Sequence, residues 1–142
     1  MKRAFLGLAA LMLTATAASA DQSFDFRLSP GPRLVGTRAE SSGSGRVHAE
    51  LKGNVLTLSG DYHGLLAASP AAQLMMGPLP GVRGPKLADL TITPAVNGTI
   101  SGKVTLNRQA MAAFAKGGLY VEITSQPAPD GDLWGWVMPP SE

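Results

Sequence analysis

Gly117-Gly118-Leu119-Tyr120-Val121-Glu122-Ile123-Thr124-Ser125 is followed by Gln126-Pro127-Ala128-Pro129-Asp130 and then by Gly131-Asp132-Leu133-Trp134-Gly135-Trp136-Val137-Met138-Pro139. Two runs of alternating polarity joined by a turn-rich segment are the signature of a β-hairpin. Setting Ser125 opposite Gly131 aligns Leu119 with Val137, Val121 with Gly135 and Ile123 with Leu133 on one face. The same register puts Tyr120 beside Trp136, Glu122 beside Trp134 and Thr124 beside Asp132 on the other. The first face belongs to a core. The second carries both tryptophans of the chain.

Working back from this hairpin, the period changes from two to about 3.6 between Asn107 and Gly117. Asn107 is placed to cap a helix, Ala110, Met111, Phe114 and Ala115 form its apolar stripe, and Gly117 can take the left-handed terminus. Before it, Ile100, Gly102, Val104 and Leu106 alternate as a strand, and so does Leu87 to Thr93. Asn97-Gly98 signals a tight turn between the two, but a two-residue turn would set Ile92 opposite Lys103 and mix the faces, so a bulge near Pro94 is expected. Leu65 to Pro85 is rich in Ala, Gly and Pro, with Gln73 to Met76 its one strand-like piece.

Val47, Ala49 and Leu51 alternate up to a Gly53-Asn54 turn, and Leu56, Leu58 and Tyr62 continue beyond it. This hairpin pairs Lys52 with Val55 and places His63 opposite Ser44. Residues 21–46 read as an N-terminal edge strand, with Phe24, Phe26 and Leu28 inward, followed by a flexible connection through Pro30, Pro32 and the Ser/Gly run of 41 to 45. Seven or eight short strands with one short helix predict an all-β chain, an antiparallel sandwich or barrel of Greek-key type, and of these a β-sandwich, immunoglobulin-like or superoxide-dismutase-like, is the expectation.

The first 20 residues have the charged, apolar, small-residue order of a signal peptide: Met1-Lys2-Arg3, an apolar run from Ala4 to Leu13, and Ala18-Ser19-Ala20. A run of about ten apolar residues is too short to span a bilayer. Cleavage after Ala20 would leave 122 of the 142 residues, exported to the periplasm or beyond, with no stable membrane anchor. Of the 12 basic residues two are Lys2 and Arg3, so the remaining 10 balance the 10 acidic ones and nothing favours nucleic acid as a partner. The chain has no cysteine, which excludes disulfides, thiolate nucleophiles and thiolate metal sites.

Gly77 with Gly81-Val82-Arg83-Gly84-Pro85, Leu106, the Gly118-Leu119-Tyr120-Val121 strand and Gly131-Asp132-Leu133-Trp134-Gly135 together make residues 47–139 resemble the CHRD domain, the chordin-type repeat also found singly in exported bacterial proteins. The resemblance implies a β-sandwich with some likeness to the superoxide-dismutase architecture, and a role in extracellular contacts. Members commonly carry histidines where this chain has Gln73, Met75 and Thr124, and an arginine where it has Trp134. The resemblance therefore implies a degenerate ligand set.

His48 and His63, the only histidines, lie on outward positions roughly 13 Å apart along the hairpin, too far to share a metal. Met75, Met76 and Met138 offer soft sulfur, though at most one of two adjacent strand residues points to a given face. Asp61 and His63 share a strand face, but no Gly-x-Ser-x-Gly elbow accompanies them. The face of Tyr120, Trp134 and Trp136 has two readings, a cross-strand cluster whose rings are covered by the loop from Leu65 to Pro85 or by the helix, and an exposed patch for a partner. The expectation is an exported, non-catalytic binding domain without a cofactor, whose candidate surface is Tyr120, Glu122, Trp134 and Trp136 and whose partner is an extracytoplasmic protein or glycan. The alternative is a copper-binding protein or metal-dependent oxidoreductase in which Met75 serves with Gln73 or His63.

Overall fold

The computed structural model of the chain describes residues 21–30, 42–68, 70–125 and 128–139. The expected signal segment and most of the expected flexible connection lie outside the described residues. Eight strands are present: β1 (Gln22–Pro30), β2 (Ser44–Lys52), β3 (Val55–His63), β4 (Ala71–Met76), β5 (Lys86–Ile92), β6 (Gly98–Thr105), β7 (Leu119–Ser125) and β8 (Ala128–Trp136), with helix α1 (Arg108–Ala115) between β6 and β7. All the pairings are antiparallel, in the order β1-β2-β3-β6-β5-β4-β7-β8, and β8 closes on β1.

The molecule is thus all-β with one short helix, but a closed barrel and not the sandwich expected from the sequence. Closure depends on two strands that change neighbours part-way along. β1 pairs with β2 through Gln22 to Leu28 and with β8 through Ser29 and Pro30. β5 pairs with β4 through Lys86 to Leu90 and with β6 through Thr91 and Ile92. Such corner strands join what would otherwise be two stacked sheets, and their in-out alternation is identical in either architecture. β1 is accordingly not an edge strand. Its inward residues Phe24, Phe26 and Leu28 are buried as their alternation requires.

Hairpin registers were the most legible feature. β2 and β3 pair from Lys52 with Val55 to Ser44 with His63, as the Gly53-Asn54 turn dictates. β7 and β8 pair Tyr120 with Trp136, Val121 with Gly135, Glu122 with Trp134 and Ile123 with Leu133. Beyond Ile123 the register slips, and Ser125 pairs with Ala128 instead of Gly131. Asp132 therefore does not face outward beside Thr124. It is buried, and it accepts hydrogen bonds from Ser125 Oγ at 3.1 Å and from the Ser42 amide at 2.9 Å. Those two donors supply the pairing that a buried carboxylate requires. The turn before β6 differs likewise: Ile92 pairs with Ile100, so residues 93–97 form a longer loop and no two-residue turn is made.

Asn107 caps α1 as expected, its Oδ1 accepting from the Ala110 amide at 2.8 Å, and Gly117 ends it at φ +73°. The helix buries Ala110 and Phe114, and the Phe114 ring lies 6.2 Å from that of Phe24. Inside the barrel Leu28, Leu56, Leu58, Leu74, Leu119 and Leu133 are essentially inaccessible, so side chains fill the interior and no lumen remains. Outward positions such as Asp25, Arg27, His48, Asp61 and Lys103 are polar and exposed. An apolar interior and polar exterior are the reverse of a membrane barrel.

Tyr62 closes one end of the core. Its hydroxyl donates to the carbonyls of Thr93 and Ala95, and its ring is buried. Burial raises its pKa above the ordinary 10.0, offset in part by the hydrogen bond to Ala95. Above pH 10 the unfolded chain loses this proton before the folded chain does, so stability should fall as pH rises from about 10 through the raised value. Thermal melts across pH 9 to 12 should show a fall that is reduced in Tyr62→Phe; equal slopes for both proteins would refute this assignment.

Candidate functional site

The outer face of β4, β7 and β8 gathers the residues singled out by the sequence. Tyr120 lies 4.6 Å from Trp136 and 5.9 Å, edge-on, from Trp134, and the two indoles are 5.5 Å apart, all between ring centroids. These separations suit favourable aromatic contacts. Gln73 and Met75 on β4 stand opposite Glu122 and Tyr120, and Thr124 stands opposite Ala71. One face therefore carries the four residues of the candidate surface and the three positions where the resemblance implied lost ligands.

Of the two readings of this face, cover by the loop from Leu65 to Pro85 is the one the structure shows. Tyr120 is wholly buried, Glu122 is 6% exposed, and Trp134 and Trp136 are half-buried. Part of the cover is the segment Gly77 to Pro85, fixed at both ends: the Gly77 amide donates to the Gly118 carbonyl at 2.8 Å, and the Met76 amide to the Pro85 carbonyl at 2.9 Å. Between these points Gly81, at φ +82°, makes the turn closed by Val82 N–H to Leu79 C=O at 3.2 Å. The next residue, Arg83, donates to Glu122 Oε2 at 3.2 Å, with its guanidinium carbon 5.2 Å from the centre of the Trp134 ring. Gly84 donates its amide to the Tyr120 hydroxyl at 3.1 Å. The aromatic cluster acts as a clamp for this loop. Glu122, expected to be a free acceptor for a partner, is engaged by Arg83.

A second polar constellation was missed by sequence reasoning. β1 and β2 set Asp25 directly opposite His48, and His48 Nδ1 meets Asp25 Oδ1 at 2.6 Å while Nε2 meets Ser23 Oγ at 3.0 Å. The sequence held one signal, the outward parity of Ser23 and Asp25 between Phe24 and Phe26. Placing them beside His48 required the β1–β2 register, which a long connection does not dictate. With Nδ1 protonated toward Asp25, Nε2 accepts from Ser23, the tautomer of a serine-nucleophile triad. The His48 and Asp25 side chains are 49% and 54% exposed. The three groups link β1 to β2 as a solvated cross-strand clasp.

Beside the clasp, on the same face, a cleft of about 490 Å³ is bordered by Arg27, Ser29, Ser44, Arg46, Asp61 and His63. His63 lies at its margin, opposite Ser44, as the hairpin register required, and is exposed. Among the described residues no group of three or more His, Cys, Asp or Glu side chains is arranged to hold a metal ion. No family model, curated protein or solved structure matches the chain.

Proposed function

We propose that the chain is an exported, non-catalytic interaction module of the CHRD type, and that it meets an extracytoplasmic protein through the loop its aromatic cluster holds. The supporting observation is a loop fastened by backbone, ion-pair and cation–π contacts that leaves Leu79 55% and Val82 44% exposed. Met138, 37% exposed, extends the apolar patch, since it and Pro80 both border Gly117. Large apolar side chains fixed in place by a rigid scaffold give up little entropy on binding, which favours contact with a partner. In this reading Tyr120, Glu122, Trp134 and Trp136 support the binding surface from beneath.

A photo-crosslinker incorporated at Leu79 should capture a discrete partner in the source envelope, and Val82→Asp should abolish capture without changing the melting temperature by more than a few degrees. Capture unaffected by Val82→Asp would reject the loop as the contact. The non-catalytic part is tested on the same protein. A fluorophosphonate probe should leave Ser23 unlabelled, and the purified protein should contain no stoichiometric copper, zinc or iron. His48-dependent labelling of Ser23, or copper lost on Met75→Ala, would overturn it.

A further inference from the structure

The outer face of β1, β2 and β3 contains one arrangement that folding alone disfavours. Arg27 stands directly opposite Arg46 across the β1–β2 ladder, and like charges in that position destabilise a sheet. Asp61 faces Arg46 from β3, yet among the described residues neither guanidinium makes an ion pair or side-chain hydrogen bond. Ser29 follows Arg27 on β1, Ser44 precedes Arg46 on β2, and His63 pairs with Ser44. Two cationic forks, two hydroxyls and an imidazole thus border one cleft, with a single carboxylate on its β3 side.

We infer that this cleft binds a phosphate or sulfate ester of a sugar. Guanidinium forks match tetrahedral oxyanions with paired hydrogen bonds, and the anion relieves the repulsion between Arg27 and Arg46. Ser29 and Ser44 add hydroxyl donors. Asp61 repels a second anionic group at its end and accepts hydrogen bonds from hydroxyls, so the remainder of the ligand is a polyol. At about 490 Å³ the cleft is of a size to take a monosaccharide ester. This site lies outside the Leu79–Val82 loop and does not depend on the role given to it.

Isothermal titration at physiological salt tests the assignment with four probes: glucose 6-phosphate, a sulfated disaccharide, inorganic phosphate and glucose. At least one of the two esters should bind more tightly than inorganic phosphate, and their order distinguishes a phosphorylated from a sulfated source; glucose should not bind. Arg46→Gln should weaken ester binding about tenfold or more, as expected for loss of a charged hydrogen bond. Without ligand the same variant should melt no lower than wild type, because it removes the opposed charge, so lost binding cannot be ascribed to misfolding. Asp61→Asn should reduce the preference for the ester over inorganic phosphate. Equal, weak binding of phosphate and esters that ignores Asp61→Asn would mean an adventitious ion only. Ester binding unaffected by Arg46→Gln would also overturn the inference.

Discussion

Leu133→Ala should lower stability by about 2 to 5 kcal/mol, the range for truncating a buried leucine, while His63→Ala should change it by about half a kcal/mol or less. Leu133 has no exposed surface and is opposite Ile123 in β7 and Pro30 in β1. It therefore sits where β8 is paired on both sides, with β7 and with the end of β1, at the seam that closes the barrel. A void there removes contacts from both sides of the closure. His63 is exposed on the rim of a cleft. Urea melts of the two variants decide the matter, and equal losses would mean that the inward and outward faces had been exchanged.

Gly84→Ala should be nearly as damaging, by about 1 to 3 kcal/mol, although it adds only one methyl group. A β-carbon on Gly84 would lie 1.9 Å from the Met76 carbonyl oxygen and 2.7 Å from the Gly77 α-carbon, and neither backbone atom is a flexible side chain that can turn aside. The loop would have to lift from β4. Lifting it separates Arg83 from Trp134 and Gly84 from Tyr120, so acrylamide should quench tryptophan fluorescence more strongly in this variant than in wild type. Arg83→Ala should cost less, because its guanidinium side is 46% exposed and solvent already screens the pair with Glu122. If Arg83→Ala were the more destabilising of the two, side-chain electrostatics and not backbone fit would hold the loop.

The two predictions draw on different kinds of legibility. Leu133 could be assigned to the core from alternation alone, since β7 and β8 each alternate between apolar and polar positions and their mutual register brings the apolar sets together. The same local logic placed Asn107 at the helix start, Gly117 at its end and His63 opposite Ser44. Gly84 carried no comparable signal. Its importance comes from the approach of a loop to β4, a contact between backbones that leaves no mark in hydrophobic periodicity.

The aromatic face shows the division within a single set of residues. Pairing across the β7–β8 hairpin follows from residues close together in the chain, so alternation and turn chemistry suffice to set Tyr120, Glu122, Trp134 and Trp136 on one face. Cover of the rings by the loop from Leu65 to Pro85 or by the helix was foreseen, since both faces of a strand can be buried near its ends, but the contact that fastens the loop was not, because Arg83 reaches a Glu122 that lies 39 positions further along. The Asp25–His48–Ser23 clasp and the opposed Arg27 and Arg46 were hidden for a related reason: β1 meets β2 only after a connection whose length leaves the register open. Closure into a barrel was the least local property of all. It rests on Ser29 and Pro30 at one seam and Thr91 and Ile92 at the other, and inward and outward residues alternate identically in a sandwich and a barrel. Periodicity specifies which face of a strand is buried, whereas the choice of neighbour at a strand's end is made by the packing of the assembled chain.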